Sequence, residues 1–176
     1  MVGHRAGLPV ARPVALAVAV VLAVVLAGGP APADAQVAQS GMSVAATVSR
    51  SCQIDGGSLA FGNYDPVARN ATAPLDAETI IVITCTKGTP ASIALNAGGH
   101  AQGASRFMAS GPSLLRYDLY QDAGRNQHWG DSPGDTLALG PSTGDPRSIY
   151  VYGRVLANQD VPVGGYSDSV VATVYF

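Results

Sequence analysis

The carboxy-terminal residues, from Gly165 to Phe176, carry the strict alternation of a β-strand. Val170, Ala172, Val174 and Phe176 fall on one face; Val171, Thr173 and Tyr175 fall on the other. No turn and no further strand follow it in the sequence. A strand in that position is either the edge of a finished sheet or the wall of an unfinished one. An unfinished sheet presents unpaired backbone groups and an apolar groove, and both invite a strand from another molecule.

The opposite end reads as an export leader. His4, Arg5 and Arg12 form a basic start, Val14 to Ala27 is uninterrupted apolar sequence, and Gly28, Gly29 and Pro30 break it. Ala33-Asp34-Ala35 has the small-x-small form of a signal-peptidase site. The apolar stretch is short of the ~20 residues that a membrane span needs. Residues 1–35 are therefore expected to be a cleaved signal peptide, with Ala33 as the alternative cut and an uncleaved anchor as the other reading.

Export sets the redox compartment. Cys52 and Cys85 are the two cysteines. An even count in an exported chain predicts one disulfide, closing a loop of about 33 residues and contributing on the order of 3–4 kcal/mol. Free thiols and a two-cysteine metal site are the other readings. No histidine stands near either cysteine to complete such a site. With 10 basic against 12 acidic residues and a formal charge of −2, no basic patch exists to recruit nucleic acid. Sparse charge with 21 glycines and 12 prolines describes a turn-rich β protein.

Strands and turns alternate along the rest. Met42, Val44, Ala46 and Val48 alternate with Ser43, Ala45, Thr47 and Ser49, the period of two expected of a half-buried strand. Strands are expected at 58–64, 79–85, 91–96, 114–121, 136–139 and 148–156, before the terminal one. The 79–85 stretch is apolar on both faces, which suits a central strand. Residues 122–144 read as a long polar connection. No helical period is sustained, so the expected fold is all-β, an immunoglobulin-like β-sandwich.

No catalytic constellation emerges. His128 stands beside Trp129 and near Asp131 and Asp135, but no serine sits in a nucleophile elbow to use it as a base. The spacing of Asp131, Asp135 and Asp145 fits turn chemistry rather than a calcium loop. Asn70-Ala-Thr72 fits the glycosylation pattern, a common chance match. Tyr117, Tyr120, Tyr150 and Tyr152 are spaced as strand residues. The expectation is a non-enzyme with no catalytic residue, no metal and no cofactor.

Several segments, taken in order, resemble the spore coat protein U domain family, which includes the archaic (Csu-type) chaperone–usher pilins. They are Phe61-Gly-Asn-Tyr-Asp-Pro66, Ile83-Thr-Cys-Thr-Lys-Gly-Thr89 and Ile93-Ala-Leu-Asn-Ala-Gly98. Tyr117-Asp-Leu-Tyr-Gln-Asp-Ala123 with Trp129-Gly130, Val151-Tyr-Gly-Arg154 and the final strand complete the set. Gly124 and Asn126 depart from the family pattern, and Leu156 stands where a proline is usual.

The resemblance implies a sandwich lacking its seventh strand, completed in trans by donor-strand complementation. Residues 36–50 would be the amino-terminal donor, with Met42, Val44, Ala46 and Val48 entering a neighbour. Residues 51–176 would be the pilin domain, with Val170, Ala172, Val174 and Phe176 on the edge strand of the acceptor groove. Implied partners are neighbouring subunits in a head-to-tail polymer, a periplasmic chaperone and an outer-membrane usher. The implied location is the periplasm and then the surface of a Gram-negative bacterium, with a role in adhesion and biofilm. A non-polymerising coat or matrix protein of the same fold is the alternative, and a secreted binding module is a third.

Overall fold

The computed structural model describes residues 34–176, so most of the expected leader lies outside the described residues. Residues 34–44 belong to one unit of the chain and residues 45–176 to a second. In the first, the described residues form no strand or helix and are exposed throughout.

The second unit is a two-sheet sandwich. Its strands are β1 (Cys52–Asp55), β2 (Leu75–Cys85), β3 (Ala91–Leu95), β4 (Arg106–Ser110), β5 (Ser113–Tyr120), β6 (Leu137–Leu139), β7 (Arg147–Val155) and β8 (Ala172–Tyr175). One sheet has five strands in the order β1-β2-β7-β5-β4, and the other has three in the order β6-β3-β8. Every ladder is antiparallel.

Alternation decides what each sheet buries. From the five-stranded sheet come Ile81 and Ile83 on β2, Leu115, Tyr117 and Leu119 on β5, and Ile149, Val151 and Val155 on β7. Ile93 and Leu95 face them from β3, and Trp129, fully buried, fills the space from the 122–144 connection. Its indole N–H donates to the carbonyl of Ile93 at 2.9 Å, so the burial leaves no donor unpaired. The doubly apolar β2 is one strand in from the edge, and its outer face is not covered: Ile80 is 39% exposed.

The strand expected at 58–64 is absent. The chain leaves the sheet after Asp55, and residues 56–64 join no ladder. Their alternation has a different cause: Leu59 and Phe61 turn inward and pack on the core without a backbone partner. They lie over Gly153 of β7, where a Cβ would stand 2.5 Å from Leu59 Cδ2 and 2.7 Å from Phe61 Cζ. Two short strands, β1 and β4, were not visible in the pattern. A single helical turn, α1 (Arg69–Thr72), follows Pro66, and its Asn70 is fully buried with its side chain bonded to Asp65 and Ala73. That side chain is inaccessible as a glycosylation acceptor in the folded domain.

Candidate functional site

The two sheets are unequal, and the consequence is a groove. Three strands cannot cover the inner face of five. β8 pairs with β3 along one edge, and no strand among the described residues pairs with its other edge. Beside that free edge runs an open depression of about 650 Å³. Its floor is the inner face of the large sheet, including Ile81, Val151, Tyr117 and Leu119; its walls are Val170 and Ala172 on one side and Ile54 to Leu59 on the other. A second depression of about 680 Å³ adjoins it, lined by Tyr64, Leu75, Leu115, Val155 and residues 161–166. Leu59, Phe61, Met108 and Tyr166 line both.

The wall is held in place by polar contacts. Before β8 the chain pairs with the large sheet through Ala109 and Ser167, at 2.9 and 3.1 Å, and then crosses to the small one. Asp168 sits at that crossing with its side chain only 3% exposed. It accepts hydrogen bonds from the Tyr117 hydroxyl (2.6 Å), from the main-chain N–H groups of Gly99 (2.9 Å) and His100 (3.1 Å), and pairs with His100 Nδ1 (2.9 Å). Burial works against the ionised carboxyl, but the bonds from Tyr117, His100 and the backbone outweigh it and hold its pKa below the ordinary value. The same burial, reinforced by the Asp168 hydrogen bond, pushes the Tyr117 phenol far up, so it remains a donor. Asn96 completes the anchorage, accepting from the N–H groups of Gly98 and Val171 at 3.1 and 2.9 Å.

A buried cation supports the far side. Arg106, 1% exposed, points inward from β4 and donates to the carbonyls of Leu95 (2.8 Å), Asn96 (3.0 Å) and Trp129 (2.7 Å). It ties the large sheet to the end of β3. Desolvation lowers its pKa, with Tyr117, Asp118, Asp131 and Asp168 acting in the opposite direction.

Of the residues singled out in the sequence, Val170, Ala172 and Val174 pack inward against the core. Phe176, beyond the last paired residue, is 53% exposed. Met42 and Val44 are 86% and 83% exposed; in the second unit Ala46 is exposed and Val48 is 83% exposed. Cys52 and Cys85 form the disulfide, across the first register pair of β1 and β2. His128 Nε2 lies 3.7 Å from Asp118 and its Nδ1 3.9 Å from Asp135. No group of three metal-ligating side chains occurs among the described residues. Tyr150 and Tyr152 stack on each other at 5.9 Å on the outer face of β7.

Sequence reasoning missed Asp168, Arg106 and Gly153. Only Gly153 left a signal, as a glycine interrupting an otherwise strong strand.

The Spore Coat Protein U domain profile matches residues 38–173, a span that includes the exposed 42–48 segment, the disulfide and the groove. The chain belongs to the Spore Coat Protein U domain family. Among relatives of this Spore Coat Protein U domain is Protein U of Myxococcus xanthus, 36% identical over 159 residues, covering 82% of this chain and 88% of the relative. Among solved structures, the fold matches a chain of the CsuC-CsuE chaperone-tip adhesion subunit pre-assembly complex, from the archaic chaperone-usher Csu pili of Acinetobacter baumannii. The TM-score is 0.54 at 26% identity, over 74% of this chain. The match spans 40% of the length of that solved chain. No helix of the described residues is long and apolar enough to cross a membrane.

Proposed function

We propose that this protein is a structural subunit of a cell-surface fibre, polymerising by donor-strand exchange. Residues 42–48 of one copy are the donor, and the groove beside β8 of the next copy is the acceptor. One observation carries this reading: a single chain presents both an uncovered core beside an unpaired strand and an exposed segment of alternating apolar side chains.

The physics of the contact is favourable. Met42, Val44 and Val48 contribute up to roughly 1–3 kcal/mol each on burial, with Ala46 least. A backbone ladder along β8 adds to this. Donor and acceptor are different surfaces, so the contact is head-to-tail and propagates rather than closes. Export by the leader would deliver the subunit to the periplasm. There its groove must be covered before assembly, which is the part of a chaperone that lends a strand, and an outer-membrane usher is where exchange would occur. The match to a chain from a chaperone–subunit complex supports these partners.

A non-polymerising coat protein is the second reading, favoured by the family's spore-coat designation. The two differ in what the isolated chain does. Expressed in the periplasm without a chaperone, a subunit of this kind should be degraded, aggregate or form linear polymers visible by negative-stain electron microscopy. A soluble monomer unfolding cooperatively and remaining monomeric for days would contradict the proposal.

A further inference from the structure

We propose that the outer face of the five-stranded sheet is a binding surface for an uncharged polysaccharide, with Tyr150 as its stacking residue. The groove lies on the opposite, inner face of that sheet, so the two surfaces are independent. Tyr150 and Tyr152 point outward from β7, with ring centroids 5.9 Å apart and planes within 15° of parallel. Arg125 extends the row, its guanidinium lying 5.8 Å from the Tyr152 ring centroid. Its other partners are the Gly153 carbonyl (3.2 Å) and the Asp76 carboxylate (3.4 Å), both beyond Tyr152 as seen from Tyr150. Asp76 is itself clamped by Arg154 through bonds of 2.7 and 2.8 Å. Arg125 takes a left-handed backbone, φ 56, which a non-glycine residue rarely adopts. The row therefore runs Arg125, Tyr152, Tyr150, fixed at one end and open at the other. Tyr150 is 49% exposed, and Ile80, its register partner on β2, is exposed beside it.

The charges on this face decide what it can hold. Asp76, Glu78 and Asp118 stand on the same side of the sheet as Arg116, Arg125 and Arg154, three against three. A face with balanced charge exerts no net pull on nucleic acid, an anionic lipid surface or a charged polymer. It offers instead a row of aromatic rings with an exposed carboxylate at its side, because Glu78 is directly opposite Tyr152. A chain of hexopyranoses with equatorial hydroxyls has the complementary form. Its ring faces are C–H surfaces that lie against an aromatic ring, and its hydroxyls project at the edges, where a carboxylate accepts from them. Strand pairing and Arg125 already hold the rings, so binding demands little ordering of the protein. A β-1,4-linked glucan, extended and flat, suits rings aligned along one strand.

Equilibrium dialysis of the exported chain against dye-labelled cellohexaose tests this, and it reads binding by monomer and fibre alike. Tyr150→Ala should weaken binding about tenfold or more, as loss of a stacking anchor does. Tyr150→Phe keeps the ring and should stay within about twofold of the native chain. Tyr175→Ala is the control. Tyr175 is 57% exposed on β8 of the small sheet, and its loss should change affinity by no more than about twofold. Absence of cellohexaose binding overturns the proposal, and so does native affinity in Tyr150→Ala or an equal loss in Tyr175→Ala. Self-association abolished by Tyr150→Ala, with no saccharide bound, would assign the face to a second copy of the chain and overturn it as well. None of these outcomes bears on donor-strand exchange, which uses the other face of the sheet.

Discussion

The Tyr117 hydroxyl donates a 2.6 Å hydrogen bond to the Asp168 carboxylate, joining β5 to the point where the chain crosses between sheets. Tyr117 is part of the groove floor and Asp168 begins its wall. A single contact thus links the uncovered core to the strand that borders it. These internal bonds tie the wall to the floor, and such ties are what a preformed binding site needs.

Tyr117→Phe is expected to leave Asp168 buried and short of one donor. The cost should be about 1–3 kcal/mol. Urea unfolding of the protein with its groove occupied by a donor peptide measures it. A change within experimental error would show that the wall does not depend on this bond.

The depressed pKa of Asp168 fixes a pH dependence. A carboxyl titrating lower in the folded than in the unfolded state contributes stability that is complete above the unfolded pKa of about 3.9 and is lost as pH falls through the folded value. Stability should therefore be flat near neutrality and fall below about pH 4. Asp76, lowered by its hydrogen bond to Arg154, contributes in the same direction. Asp168→Asn should lower stability at neutral pH and make the acid limb shallower, as read from thermal melts across pH 3–7.

Gly98 has φ +88, and a Cβ there would collide with the Asp168 carboxylate. Gly98→Ala therefore combines a strained backbone with displacement of the wall's anchor. Strain of this kind costs about 1–3 kcal/mol. Loss of donor-peptide affinity should accompany the loss of stability. Full affinity in this variant would separate the 98–100 turn from the groove.

β1 matters to the groove rim, because Ile54 lines it and the strand is only four residues long. The Cys52–Cys85 bridge holds that strand to β2. Replacing both cysteines with serine should cost on the order of 3–4 kcal/mol. Hydrogen exchange should show the loss first in β1. Uniform loss across both sheets would mean that β1 is held by packing instead.

Six of the eight strands were legible because they read as short apolar or alternating segments bounded by turn residues. β4 escaped because its first inward residue is Arg106, which the pattern counts as surface. β1 escaped by its length. Residues 58–64 misled for a physical reason: side chains can alternate into a core without their backbone joining a ladder, and Leu59 and Phe61 do so over Gly153. The alternation of Val170, Ala172 and Val174 was legible, and all three pack inward. Asp168 was not, since nothing in a lone acidic residue among serines shows that a tyrosine 51 positions away will meet it.

The most direct test of the account substitutes the donor while leaving the groove intact. Val44→Asp with Val48→Asp would place two charges in an apolar groove, costing several kcal/mol for each unpaired charge. Surface fibres are counted by electron microscopy, and chaperone association is measured by co-purification from the periplasm. The account predicts that fibres disappear while the subunit still co-purifies with its chaperone, because its own acceptor groove is unchanged. Retained fibres together with lost chaperone binding would place residues 42–48 in the subunit's own core and contradict it.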